Sequence, residues 1–156
     1  QNAAEAAQAV AATRYPPQGV RGVSVSHRSN RYGTINDYMQ TINDNIAVIV
    51  QIEHVDAARN IDAILDVPGI DGVFVGPFDL SGSMGKPGKI NDPEVQQAIR
   101  DIIRACEKRD IARCIYAHSP AHAKTYLDQG YRVIGLCTDY ITLARAAAAA
   151  LKEVRG

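Results

Sequence analysis

Val48-Ile49-Val50-Gln51-Ile52-Glu53 and, one unit further on, Gly72-Val73-Phe74-Val75-Gly76-Pro77-Phe78-Asp79-Leu80 decide how this chain folds. Each stretch holds a short apolar, β-branched run of the kind that forms a buried strand. A carboxylate follows each run, Glu53 in the first and Asp79 in the second. Outward from this pair the same alternation continues. Strands are expected to begin at Ile46, Val73, Ala112 and Val133. Helical patterns cover Val55 to Leu65, Pro93 to Lys108, Pro120 to Gln129 and Ile141 to Val154. Strands alternating with helices mean a parallel sheet with right-handed crossovers. Four βα units make half of an eight-stranded barrel, or a small open sheet with helices on both faces.

Local signals place the helix ends. Asp92 is the expected cap of the helix that starts at Pro93, and Ser119 of the one that starts at Pro120. Gly130 is the expected stop of the latter. The Ala146 to Ala150 run suits close helix packing. Before the regular part, Ala3 to Ala12 is Ala-rich and helical, and Tyr15-Pro16-Pro17-Gln18-Gly19 ends it. Val20 to Ser26 reads as a weak strand or extended loop, and Ser29 to Gly33 as a loop. Thr34 is placed to cap a helix over Ile35 to Asn43, with Asp37 in its first turn.

Composition narrows the function. The chain has 156 residues, enough for one domain with a sizeable core. Lys and Arg number 17, as do Asp and Glu, so the formal net charge is zero. That argues against a nucleic-acid partner or an anionic membrane held by bulk charge. No run reaches the roughly 18 apolar residues of a spanning helix, and no leader is expected. The opening Gln1-Asn2-Ala3, without Met, fits a processed or truncated piece. Cys106, Cys114 and Cys137 lack CxxC spacing and read as reduced packing residues of a cytoplasmic protein.

The chemistry is expected at the strand ends, where α/β folds gather their reactive groups. Glu53 and Asp79 lie 26 positions apart, one βα unit. Neighbouring strands are about 5 Å apart, so the two carboxylates could share one divalent cation. Mg²⁺ accepts two carboxylates and several waters. A solvated Glu53 and an Asp79 that caps a helix or forms a turn meet the same spacing. Gly76 allows close approach, Pro77 stiffens the turn, and the amides of Phe78 and Asp79 could face an anion. An ordinary βα turn fits the same residues. Gln51 shares a strand face with Glu53 and suits a keto or carboxylate oxygen. Gly82-Ser83-Met84-Gly85 is no dinucleotide-binding turn. His54 is read as structural, His122 as a helix-surface residue and His27 as a loop residue. His118 follows the third strand and could face the site, but is not assigned as a base. No histidine has metal-ligand spacing with another. No lysine lies in these motifs, which disfavours a Schiff base.

In this order the motifs resemble the HpcH/HpaI aldolase family of metal-dependent pyruvate aldolases. The matching stretches are Arg14-Tyr15-Pro16-Pro17 with Gly19-Val20-Arg21-Gly22-Val23, then Val50-Gln51-Ile52-Glu53, then Gly69 to Ser81. Pro93-Glu94-Val95-Gln96, Tyr126-Leu127, Gly130 and Asp139 also fit. The resemblance implies an α/β fold, the C-terminal half of a (β/α)₈ TIM barrel, as a single partial domain over 1–156. It implies Glu53 and Asp79 as ligands of Mg²⁺, Mn²⁺ or Co²⁺. Gln51 would contact the 2-oxo acid, and the Phe78 and Asp79 amides would hold its carboxylate. Tyr116 matches a position lining the pyruvate end that is usually a smaller aliphatic. The implied reaction is reversible cleavage of a 4-hydroxy-2-oxo acid to pyruvate and an aldehyde through a metal-stabilised enolate. Implied too is a homo-oligomer, a hexamer in the family, with its last helix exchanged between subunits. A barrel of about 250 residues is about 100 residues longer at its N-terminus, and that part carries the family's catalytic His and its keto-acid Arg. No catalytic base is therefore expected among these residues. A citryl-CoA or malyl-CoA lyase-like reaction is the alternative within the family, although no basic cluster suits a CoA phosphate. A non-catalytic, self-assembling half-barrel is the alternative outside it.

Overall fold

The computed structural model describes residues 1–156 and divides into two compact units, Gln1–Ala112 and Arg113–Gly156. The first unit opens with α1 (Ala3–Thr13), capped by Asn2, whose side-chain oxygen accepts from the Glu5 amide at 3.0 Å. Then come α2 (Tyr38–Thr41), β1 (Ile49–Ile52), α3 (Val55–Arg59), α4 (Ile61–Leu65), β2 (Gly72–Val75), α5 (Pro77–Ser83) and α6 (Pro93–Glu107). The second unit holds most of β3 (Ala112–Ala117), with α7 (Pro120–Asp128), β4 (Val133–Leu136) and α8 (Asp139–Arg155).

The strands of each pair run parallel. β1 pairs with β2 in the register Ile49 to Gly72 through Ile52 to Val75. β3 pairs with β4 from Cys114 opposite Val133 to Ala117 opposite Leu136. The strand and helix order is that expected of successive βα units.

Burial in the first unit explains why these elements form. Ile52, Val73 and Val75 point into one core with Ile61, Ile64 and Leu65 of α4, Leu80 of α5, and Val95, Ile102 and Cys106 of α6. The apolar spacing of α6 therefore does what an amphipathic stripe does. Asp92 caps α6 by accepting from the Glu94 amide at 2.9 Å, and Ser119 caps α7 by accepting from His122 at 3.2 Å. Gly130 ends α7 in the left-handed region at φ +80°. Arg109 ties the end of α6 to α4 through Asp62 at 2.8 Å and Asp66 at 2.8 Å.

Of the two readings of Val20 to Ser26, the loop is the one found. Several segments depart from the sequence expectation. Instead of one helix over 35–43 there is the four-residue α2 followed by a 3-10 turn, Ile42–Asp44. The loop before α2 is organised by buried Asn30. Its side chain accepts from the His27 and Gly33 amides and donates to the Val25 carbonyl. His27 is not a free loop residue: it stacks edge-on against Tyr38 and meets the Tyr15 hydroxyl at 3.3 Å. The pattern over 55–65 is two helices, because the chain turns at Asn60 (φ −94°, ψ 13°). α8 has no buried residue, and Ala146 to Ala150 are all exposed. Cys106 and Cys114 are buried as expected of packing residues, but Cys137 is exposed at φ +65°. None of the three cysteines forms a disulfide. No helix is long and apolar enough to cross a membrane.

Candidate active site

Gln51, Glu53 and Asp79 line one cavity of about 460 Å³ in the first unit, with His54, Ala57 and Ser83. Strand geometry brings the first two together. Residues two apart on a strand share a face, and the Gln51 amide donates to Glu53 Oε2 at 2.6 Å. That bond orients the carboxylate. The ladder between β1 and β2 ends at Ile52 and Val75, and Gly76 N–H still donates to Ile52 C=O at 3.1 Å. Gly76 thus lies beside Glu53.

The reason for glycine at 76 is space. Its φ of −105° is open to any residue, but a β-carbon there would sit 2.8 Å from Glu53 Cβ and 3.3 Å from Gln51 Nε2. What approaches Gly76 closely is the Glu53 side chain itself.

Asp79 reaches the cavity from a helix. The sequence reads Gly76-Pro77-Phe78-Asp79 as a turn, whereas Pro77 is the first residue of α5 and Asp79 lies in its first turn. Pro at the first helical position loses no intrahelical hydrogen bond, and an acidic residue there is favoured by the helix dipole. The Phe78 and Asp79 amides therefore belong to the start of a short helix, and the Phe78 ring is half-exposed.

The two carboxylates fit a hard divalent cation. Both side chains line the cavity, which has volume for water or a chelating substrate. No group of three or more His, Cys, Asp or Glu side chains is placed to hold a metal. Two carboxylates alone would leave most of a cation's coordination to water or substrate, which Mg²⁺ accepts and a structural zinc site does not.

The remaining expected residues fall as follows. Tyr116 lies on β3 in the second unit, where its hydroxyl meets Thr138 Oγ1 at 2.6 Å and its ring meets His118 edge-on at 4.8 Å. His118 and His122 are exposed. His54 has two roles: its Nδ1 accepts from the Asp56 amide at 3.2 Å as the cap of α3, and it lines the cavity. Sequence reasoning missed Ser83, also on the cavity wall; its place follows from α5 being a helix.

Comparisons with known proteins identify the family. Residues 1–146 match the family of HpcH/HpaI aldolase/citrate lyase proteins, and the chain belongs to it. A 5-keto-4-deoxy-D-glucarate aldolase of Enterobacter sp. (strain 638) is 46% identical over 139 residues, 89% of this chain and 54% of that protein. The chain thus spans about half the length of the curated relatives it matches. The solved HpcH/HpaI aldolase/citrate lyase family protein of Burkholderia cenocepacia J2315 superposes with a TM-score of 0.91 at 39% identity, over 99% of this chain and 62% of that one. The HpcH/HpaI aldolase of Desulfitobacterium hafniense DCB-2 gives 0.87 at 29% identity, over 99% and 61%. The four parallel βα units are thus the C-terminal half of the TIM barrel of this family.

Proposed function

We propose that this chain carries the cation- and keto-acid-binding part of an aldolase that reversibly cleaves a 4-hydroxy-2-oxo acid to pyruvate and an aldehyde. One observation carries the reading: Gln51, Glu53 and Asp79 line one cavity beyond the ends of two paired strands. The substrate of the Enterobacter relative has the required form. Numbered from its other end, 5-keto-4-deoxy-D-glucarate is a 4-hydroxy-2-oxo acid, so breaking the bond between its third and fourth carbons releases pyruvate.

Each residue has a task in this scheme. Glu53 and Asp79 hold Mg²⁺, Mn²⁺ or Co²⁺, which would stabilise negative charge on the substrate oxygens as a Lewis acid. Gln51 fixes the Glu53 carboxylate and offers its amide to the keto acid. The Phe78 and Asp79 amides, at the start of α5, receive the substrate carboxylate. The proton-transfer residue is assigned to the N-terminal part that the relatives possess, not to His118.

The exposed face of α8 supports a second proposal, that the working protein is a homo-oligomer. Tyr140, Leu143, Leu151 and Val154 are all exposed there, and a second copy of this chain is the partner that would cover them.

The reaction is tested by deuterium uptake into the pyruvate methyl group with Mg²⁺ present, read by NMR. The chain alone should exchange slowly, since losing general acid–base help costs about 10²–10⁴-fold. Supplying the N-terminal part of the Enterobacter relative should restore exchange, and Glu53→Ala should abolish it. Equal exchange by the Glu53→Ala protein would contradict the proposal. Fast exchange by the chain alone would move the base into it, with His118 the first residue to replace.

A further inference from the structure

We propose that Ser83 is a positioning residue whose hydroxyl latches the end of α5 to the start of α3, fixing Asp79 relative to Glu53. The inference rests on the reading of those two carboxylates as joint cation ligands. Both sit on backbone that has left the strand ladder. Glu53 lies between β1 and α3, and Asp79 lies in the first turn of α5. The paired register stops just before them, at Ile52 and Val75. Beyond that point, core packing and any direct bond between α3 and α5 set their relative position.

Ser83 makes that join. The Val55 amide donates to Ser83 Oγ at 2.9 Å, and the Ser83 hydroxyl donates to the Leu80 carbonyl at 2.8 Å. Val55 is the first residue of α3, where no intrahelical carbonyl can accept its N–H. His54 accepts from Asp56 at 3.2 Å, so the cap of α3 serves the next amide, and Ser83 serves that of Val55 from another element. One end of the link lies two residues from Glu53, and the other is the carbonyl of the residue after Asp79. A hydroxyl has one proton to give and lone pairs to receive, so these two bonds fix its direction. Ser81, two residues earlier, differs: it accepts from the Gly88 amide at 3.1 Å and donates to the Phe78 carbonyl at 2.6 Å, tying α5 to the following loop.

The bond can be removed from either side. Ser83→Ala deletes the acceptor. Val55→Pro deletes the donor at a first helical position, where Pro is well tolerated. The preceding His54, at φ −123° and ψ 142°, already has the extended backbone that a following Pro requires. Ser83→Thr keeps the hydroxyl.

The full chain and these variants are titrated with Mn²⁺, free ion being followed by electron paramagnetic resonance, with thermal melts in parallel. Ser83→Ala and Val55→Pro should each weaken Mn²⁺ binding about tenfold. The double variant should lose no more than either single one, because both remove the same bond. Ser83→Thr should restore affinity. Wild-type affinity in both single variants, or additive losses in the double, would overturn the latch. If wild type binds no Mn²⁺, the cation reading fails by itself, and amide hydrogen exchange decides the latch. Ser83→Ala should then speed exchange in the first turns of both α3 and α5, and unchanged exchange there would overturn it.

Discussion

Gly76 lies against the side chain of Glu53, so closely that a β-carbon at position 76 would stand 2.8 Å from Glu53 Cβ and 3.0 Å from Glu53 Oε2. The two residues extend the paired ends of β1 and β2, and the glycine leaves the carboxylate its place. Gly76→Ala should therefore act on the site and not on backbone conformation. Overpacking of this kind costs about 1–3 kcal/mol. Divalent-cation affinity should fall about tenfold or more, measured by calorimetry, with a modest loss of melting temperature. Unchanged affinity would mean that Glu53 does not hold the ion.

Leu80 tests whether α5 is held by the core. It is fully buried, one residue after Asp79, in the cluster with Val75, Val95 and Ile102. Leu80→Ala should cost about 2–5 kcal/mol in urea unfolding. A smaller loss would mean that α5 is loosely docked and that Asp79 is not fixed.

The loop after α5 has a pH signature. Lys86 pairs with Asp92 at 2.7 Å and with Glu94 at 2.7 Å. The Lys86 ammonium, with help from the Glu94 amide, holds the Asp92 carboxyl below its ordinary 3.8. A carboxyl more acidic in the folded chain contributes stability in full above its unfolded value, and loses it as pH falls through the folded one. Lys86, raised above its ordinary 10.5 mainly by Asp92, loses its share only as pH rises past that value. Asp92→Asn keeps a good helix cap and removes the charge. The urea-midpoint gap between wild type and this variant should be widest near neutral pH and should close below pH 3.8. A gap that stays constant, or grows in acid, would contradict the assignment.

The face of α8 predicts self-association. Leu143 is 72% exposed and Val154 86%, and an Ala-rich helix with no buried residue has little tertiary support. Sedimentation should show dimers or larger species, and Leu143→Glu with Leu151→Glu should shift them toward monomer. A wild-type monomer with a cooperative melt would contradict this.

Much of the architecture was legible because its signals are local and redundant. β-branched runs marked the strands, and β3 spans Ala112 to Ala117 as expected. Asp92-Pro93, Ser119-Pro120 and Gly130 marked helix ends through caps that need no tertiary context. The pairing of Gln51 with Glu53 followed from strand alternation alone. The helical state of Pro77–Ser83 was masked because Gly-Pro-x-Asp is also a turn signal, and burial of Leu80 and Ser81 decides between them. Asn60 split one apolar pattern into two helices without disturbing its face. The Asn30 loop and the bond from Val55 to Ser83 join residues whose meeting no periodicity encodes. Spacing left two roles open for Glu53 and Asp79, and only the resemblance favours the cation-ligand one.

The account stands or falls on those two carboxylates. Calorimetric titration of Mg²⁺ and Mn²⁺ into the chain, Glu53→Ala and Asp79→Ala tests it directly, repeated with the N-terminal part of the Enterobacter relative supplied. The account predicts one site in the unaltered chain and a loss of at least about tenfold in each variant, the scale of a lost charge-assisted ligand. Equal affinity in all three proteins, with and without the added part, would contradict it.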